Sequence, residues 1–377
     1  MTDMTVDTTI MMLLVIAILP ITGILMAIIP YLVKKSEVFA VTVPEASVND
    51  PYIKKLKRQY ALIVGLTTIV FTVLMVFFLF VGSEMGVIAA MTAGVLLVCV
   101  GCYALMLFYR KKVREYKASQ GWVANQHETT AVISTGAMGV EIPHAVSLNW
   151  NWLYVPIFII TAAVGYLGYD SIPQQIPMNI GLDGTVSTWA EKTPLIIWIP
   201  VIIQAFLGLC FAFSHWMITR SKRLSEPNAP VSSAHAYGMF AHAQSLYLVV
   251  GGLILAAMMM TMPFTFMGVM TLMQSGLFLM IAALILVIGA LAIGVIYGQG
   301  GARVLRRMQE SNTMLADEDR HWKLGIIYFN PNDPNWVLPA RFGVGWTVNF
   351  ARPVVWGFFL GLVVLTLAFI VVLFAMM

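Results

Sequence analysis

Few side chains in this sequence could do chemistry, and their spacing argues against the reactions they first suggest. His127-Glu128-Thr129-Thr130-Ala131 opens like the zinc-protease helix His-Glu-x-x-His, but Ala131 stands where the second imidazole is required. Two imidazoles one helical turn apart are what grip the metal, so the motif is incomplete. Cys99-Val100-Gly101-Cys102 has the spacing of a redox dithiol. It falls in the middle of an apolar run, with no polar neighbour to favour a thiolate. Two small packing residues on one helix face is the simpler reading. His215 sits just before Trp216 and the bases Arg220, Lys222 and Arg223, and reads as a structural interfacial residue with the option of a pH response. His235 and His242 would share one face of a short cytoplasmic helix, but no carboxylate or cysteine accompanies them. No metal site, cofactor site or nucleophile emerges, and the chain reads as non-enzymatic.

The apolar runs themselves are bare of charge. No Asp, Glu, Lys or Arg lies well inside any of them, whereas pumps and proton relays place ionisable groups at membrane depth. Gln204, Ser214, Gln244 and Gln274 bring the main polarity near them. Proton-driven transport and intramembrane proteolysis are disfavoured accordingly. A channel-like path for a small solute, lined by Gln204, Gln244 and Gln274, stays open as an alternative, as does a structural subunit of a larger membrane complex.

What must position these residues is a membrane. The 377-residue chain is 59% hydrophobic and 11% charged, whereas about 25% of residues are charged in a soluble domain. A helix needs ~20 apolar residues to cross a bilayer. Eight such runs are found, at 10–33, 60–81, 87–109, 152–169, 194–219, 245–262, 276–297 and 353–374. Residues 245–297 as one helix would be about 80 Å long, against a hydrocarbon core of ~30 Å, so a turn at 261–275, marked by Pro263, splits them into two spans. The first run is preceded by Asp3 and Asp7 rather than by bases, and reads as a span rather than a cleaved leader. All three cysteines fall in apolar runs, so no disulfide framework is expected.

Charge fixes the orientation. The nine segments between and beyond the runs contain 0, 6, 0, 5, 1, 3, 0, 7 and 0 Lys plus Arg residues. Bases are retained on the cytoplasmic side, so alternate segments face the cytoplasm. Twenty-one of the 22 bases then lie inside, Lys192 being the exception. Such juxtamembrane bases meet anionic lipid headgroups rather than nucleic acid. Trp150, Trp152, Tyr169, Trp198, Trp216 and Tyr297 suit the interfacial aromatic belt. The expected fold is all-α: a polytopic transmembrane helical bundle of eight spans, both termini outside, with a small cytoplasmic β-hairpin-like module. Its expected divisions are a three-span region with basic loops (1–151), a membrane core with an extracellular loop at 170–193 (152–302), a cytoplasmic aromatic module (303–352) and a last span (353–377).

Three connecting segments carry a signal of their own. In the first, residues 38–43 alternate weakly like a short strand, and Asn49 or Asp50 is placed to cap a helix with Pro51 in its first turn. That helix should run into the second span. The second segment, 170–193, holds Pro173, Pro177, a Gly-x-x-Gly turn ending at Gly184, and Trp189. This is an ordered, turn-rich element and the natural place to meet an extracellular partner. Pro173, Pro177, Asn179, Gly184 and Trp189 are its candidate ligand-binding residues. The third segment interleaves Trp322, Tyr328, Phe329, Trp336, Phe342, Trp346 and Phe350 with Asn, Asp, Gly and Pro, a content too aromatic for a disordered stretch. Residues 330–334 (Asn-Pro-Asn-Asp-Pro) mark a turn between the apolar stretches 326–329 and 344–348. Arg341 is the expected pair of Asp333 or of an anionic partner group. Trp322, Tyr328, Asn330, Asp333, Arg341, Trp346 and Asn349 are candidates for binding a cytoplasmic protein. The alternative is that the module braces spans seven and eight.

Two of these segments resemble known families. Ile176-Pro177, followed by Gly184 and Trp189, resembles the outer loop of a bacterial domain of unknown function that opens the SdpI family, membrane immunity proteins against a secreted toxin peptide. Asn179 and Ser187 stand here where that family has a histidine and an acidic residue, so its histidine chemistry is not carried over. Residues 39–45 look like the leader region in larger relatives of that domain. Tyr328-x-Asn330-Pro331-x-Asp333-Pro334, Arg341 and Gly343-x-Gly345-Trp346-Thr347-x-Asn349 resemble a second uncharacterised bacterial domain. The resemblances imply a Gram-positive plasma membrane protein, a receptor or immunity protein that meets a membrane-active peptide outside and a protein partner inside.

The orientation is directly testable. In a background lacking the native cysteines, Ser187→Cys should react with a membrane-impermeant maleimide on intact cells, and Asn332→Cys only after permeabilisation. Labelling at position 332 in intact cells would overturn the orientation argued from Lys and Arg.

Overall fold

The computed structural model describes residues 6–34, 36–123, 142–181, 185–222, 230–308, 319–343 and 345–376. Its α-helices are α1 (Val6–Leu32), α2 (Pro51–Val81), α3 (Glu84–Ser119), α4 (Tyr154–Leu167), α5 (Trp198–Arg220), α6 (Pro230–Met259), α7 (Thr261–Phe266), α8 (Leu272–Tyr297), α9 (Ala302–Met308) and α10 (Pro353–Met376). Eight helices are long and apolar enough to cross a membrane, as expected, with α4 extended by a 3-10 turn at Leu148–Leu153. Large apolar side chains such as Leu66, Val70, Leu97, Leu167 and Val371 are exposed on their outer faces. Apolar surface on that scale is characteristic of a multi-pass membrane protein.

Local chemistry sets the helix ends. Asp50, not Asn49, caps α2, accepting from Tyr52 N at 2.7 Å and Ile53 N at 3.4 Å, with Pro51 in the first turn. The basic segment and the second span are therefore one continuous helix. Thr271 and Gln274 form a reciprocal capping box that starts α8, while α7, with Pro263 buried, makes the turn that splits the charge-free stretch. The 36 residues of α3 extend about 54 Å, well beyond the hydrocarbon core. Its overhang carries the bases from Arg110 to Lys117.

Four antiparallel two-stranded hairpins complete the described residues: β1 (Glu37–Val38) with β2 (Val41–Thr42), β3 (Gln175–Ile180) with β4 (Val186–Glu191), β5 (Trp322–Lys323) with β6 (Ile327–Tyr328), and β7 (Val337–Pro339) with β8 (Trp346–Val348). Two expectations change here. The longest strands lie in segment 170–193, whose prolines suggested turns alone. Pro177 is accommodated because the register shifts between Pro177 and Asn179, and because each strand of a two-stranded ribbon has a free edge. In the module, stretches 326–329 and 344–348 do not form one hairpin across 330–334. Each pairs with a nearer strand, and the two meet at a parallel bridge between Tyr328 and Asn349. The tight turns come from Leu324 and Gly325 (φ 50° and 77°) and from Gly343 and Gly345 (φ 95° and 149°).

The base-rich segments gather at one end of the bundle, where Thr42, Lys117 and Lys222 all reach residues of the 319–352 module. At the other end Ile172, Ile176, Ile196, Ile199 and Phe266 form an apolar cluster under the β3–β4 ribbon. Gln299–Gly301, a 3-10 turn after α8, packs directly on α6. A Cβ at Gly301, whose φ is +81°, would stand 2.3 Å from the Ala236 carbonyl oxygen. Gly301→Ala should therefore destabilise the detergent-solubilised protein by about 2–4 kcal/mol, read as a lower Tm. Gly357→Ala, with open space around it on α10, should melt like the parent.

Candidate functional site

Two polar nodes hold the module beneath the helix ends. The first centres on Asp319, whose side chain is 11% exposed. Its carboxylate accepts from Lys117 Nζ at 2.9 Å, from Arg341 Nη1 at 2.5 Å, and from the backbone N and Oγ1 of Thr42 at 3.0 and 2.8 Å. Arg341 also lies 3.8 Å from Glu37 and stacks over the Trp322 ring at 5.0 Å. Arg110, from the same overhang as Lys117, donates to the carbonyls of Ala40 and Trp322. One buried carboxylate thus joins the first loop, α3 and the module. Burial by itself opposes ionisation of Asp319, but Arg341, Lys117 and the Thr42 amide outweigh it and hold its pKa at about 2.

The second node closes the turn at 330–335. Asn349, fully buried, accepts from Asn330 N at 3.0 Å and donates to the carbonyls of Asn330 and Asp333 at 2.8 and 3.2 Å. Its amide takes the place of a strand neighbour for a loop that has none. Asp333 Oδ2 accepts from Lys222 Nζ at 2.8 Å and from the Tyr328 hydroxyl at 3.0 Å, while Asn330 Nδ2 donates to that hydroxyl at 3.1 Å. Arg352 donates to the Asp333 carbonyl at 2.9 Å. Burial opposes ionisation of Asp333, but the bonds from Lys222 and Asn335 hold its carboxyl below the ordinary value. Gln299 adds a third tie, donating to the Ala340 and Gly345 carbonyls and accepting from Gly345 N at 2.8 Å.

All seven module residues singled out from sequence fall in this assembly, but with one changed partner. Arg341 pairs with Asp319 and Glu37, not with Asp333, which takes Lys222 instead. The turn holding Asp333 and the turn holding Arg341 belong to different hairpins, so the two side chains serve different helix ends. Trp322 packs against Tyr328 at 5.2 Å, and Trp346 against Phe240 of α6 at 5.4 Å. Asp319, Lys117, Arg110, Lys222 and Gln299 escaped the sequence reading. A signal existed for two of them: Arg110 and Lys117 continue the buried α3 stripe of Cys102, Met106, Tyr109 and Val113. Bases on the inward face of an amphipathic overhang need acidic or carbonyl partners.

At the opposite end, Pro173, Asn179 and Trp189 are exposed, Pro177 is half-buried and lies across from Trp189 in register, and Gly184 lies outside the described residues. Lys192 is engaged locally, donating to the Ile172 carbonyl at 2.8 Å and lying over the Tyr169 ring. Among the remaining candidates, His127 to Ala131 fall outside the described residues. His215 is fully buried, donating from Nε2 to the Val146 carbonyl at 3.0 Å, which leaves Nδ1 to accept from Asn151 at 3.2 Å. His235 and His242 lie on α6, inside a span-length helix rather than a separate short one. Gln204 cross-links α4 and α6 through Thr161 and the Ala256 carbonyl, both at 2.8 Å, whereas Gln274 is occupied in the α8 cap. Among the described residues no cluster of His, Cys, Asp and Glu has metal-site geometry.

Depressed carboxylate pKa values set the sign of the pH response. Stability from Asp319 is present above its ordinary value of 3.8 and is lost as pH falls towards 2. The Tm should hold level between pH 7 and 5 and drop below about pH 4. Asp319→Asn should cost about 2 kcal/mol at pH 7 and flatten that acid limb. An acid limb of undiminished depth in the variant would remove Asp319 as its source.

With this geometry in place, comparison with known families is informative about where, not what. Residues 157–203 match a domain of unknown function (DUF1648), covering most of α4, the β3–β4 ribbon and the start of α5. Residues 331–356 match a family of unknown function (DUF5808), running from the turn after Asn330 through β7 and β8 into α10. Each covers a small part of the chain, and neither extends to the SdpI family. No curated protein and no solved structure matches it. This is a helical membrane protein containing two domains of unknown function, one around the outer ribbon and one in the inner module.

Proposed function

We propose that the chain is a non-enzymatic bacterial plasma membrane receptor or immunity protein, whose β3–β4 ribbon engages an extended, membrane-active peptide. The observation that carries this reading is Trp189, 54% exposed on a ribbon whose strands have no second neighbour among the described residues. An aromatic anchor beside an open strand edge suits a peptide that adds as a further strand, with backbone bonds giving affinity and pockets giving specificity. The isoleucine cluster beneath and the Lys192 tie keep the ribbon rigid, so little ordering is lost on binding. Resemblance to immunity proteins at Ile176-Pro177 and Trp189 supports the same surface. By the charge rule this end faces outwards and the module faces the cytoplasm.

The inner module's proposed role is to brace the helix ends. Asn330, Asp333, Arg341 and Asn349 are each 7% exposed or less, and their polar groups bond within the protein. A cytoplasmic partner would meet the module's exposed rim, at Ile326 and Phe329, rather than these side chains.

Cells lacking the protein should be more sensitive to at least one member of a panel of membrane-active peptides. Trp189→Ala should abolish protection and weaken binding of that peptide at least about tenfold, the loss typical of an aromatic anchor. Membrane levels should not change, since the side chain is largely exposed. Unchanged sensitivity across the panel would remove the basis for this reading.

A further inference from the structure

We propose that the cleft between the base-rich end of α3 and β5 binds the phosphate headgroup of an anionic phospholipid. The cleft encloses about 450 Å³. Arg110, Lys111 and Arg114 line it from α3 and Lys323 from β5, against a single carboxylate, Glu115. Four cations and one carboxylate leave a net charge of +3 on a concave wall, which concentrates anions. Three of the cations are uncommitted: Lys111, Arg114 and Lys323 are exposed and form no ion pair among the described residues. Arg110 is held by two backbone carbonyls, which fix its position without cancelling its charge. Trp322 also lines the cleft and is 4% exposed, and its indole N–H has no acceptor among the described residues. A buried donor of this kind is normally satisfied, and a phosphate oxygen would satisfy it.

Depth favours a lipid over free phosphate. Tyr103 donates to the Leu324 carbonyl at 3.3 Å, so the β5–β6 turn reaches about 10 Å back along α3 from Arg110 into the apolar part of the span. Leu107 and Leu324 line that deeper side, and Leu324 and Phe108 are 58% and 54% exposed. The cleft grades from an apolar surface to a row of bases. Acyl chains would lie along the leucines while the phosphate meets Lys111, Arg114 and Lys323, the profile of basic interhelical pockets that hold anionic headgroups.

Native mass spectrometry of the full-length protein in detergent, with equal amounts of phosphatidylglycerol and phosphatidylcholine, tests this. The parent protein should retain phosphatidylglycerol preferentially. Lys111→Gln, Arg114→Gln and Lys323→Gln together should cut that preference at least about tenfold, with an unchanged melting curve because these side chains hold nothing in place. Lys54→Gln, Lys55→Gln and Arg58→Gln, which remove three exposed bases from α2 at the same end, should leave it intact. Undiminished preference in the cleft variant, or equal loss in the α2 variant, would overturn the assignment. Displacement of the lipid by millimolar inorganic phosphate would overturn the lipid in favour of a free anion.

Discussion

A single buried carboxylate decides how the base-rich end of this protein is organised. Asp319 gathers Lys117 from α3, Arg341 from the β7–β8 turn and Thr42 from the first loop. Buried ion pairs are weak sources of net stability, because desolvating the charges cancels much of their attraction. Their geometry is nonetheless demanding, and here it fixes the register of three elements far apart in sequence. Without the carboxylate, Lys117, Arg341 and nearby Arg110 would face one another with no acid at their centre. The second node, at Asp333, does for α5 what Asp319 does for α3 through its pair with Lys222. Together the nodes turn a short, strand-poor segment into a bracket under the bundle.

The first loop shows what the bracket supports. Phe39 and Ala40 have φ values of 45° and 59°, a conformation that usually selects glycine or asparagine in a two-residue hairpin turn. The strain persists because the surroundings over-determine it. Phe39 is wedged between Tyr60 and Tyr109, with ring centroids 5.5 and 5.2 Å away, and Arg110 bonds the Ala40 carbonyl. The same Arg110 bonds the Trp322 carbonyl at 3.1 Å. Loop, helix and module therefore share one donor, and the loop's conformation depends on the module being docked.

The two ends of the molecule divide their chemistry accordingly. At the base-rich end, polar side chains turn inwards and satisfy one another, so the surface left for ligands is the rim of uncommitted cations beside Trp322. At the opposite end, the polar groups are few, Lys192 is tied to its own loop, and an exposed tryptophan stands on a rigid ribbon. A headgroup-binding rim and a peptide-facing ribbon call for opposite surfaces, and the bundle keeps them a membrane apart.

Much of the fold was legible in the sequence because the governing physics is local. A helix crossing a bilayer must satisfy its own backbone and present apolar side chains over its whole length, so each span announces itself within its own residues. Alternation of basic and base-free segments then sorted the loops into two sets, and the contacts of Thr42, Lys117 and Lys222 with the module gather the basic set at one end. Asp50 and Pro51 announced the start of α2 in the same local way. The module's turn chemistry was legible too, since Asn330 and Asp333 bond the backbone two residues on, at 3.0 Å each. What tertiary structure alone decided was pairing. Arg341 lies 22 residues from Asp319, and Lys117 lies 202 residues from it. No spacing rule selects such partners, because they meet only where helix ends converge. Strand pairing at 175–191 was hidden for a related reason: Pro177 removes a ladder donor, and a register shift that the sequence does not mark is what lets the ribbon form around it.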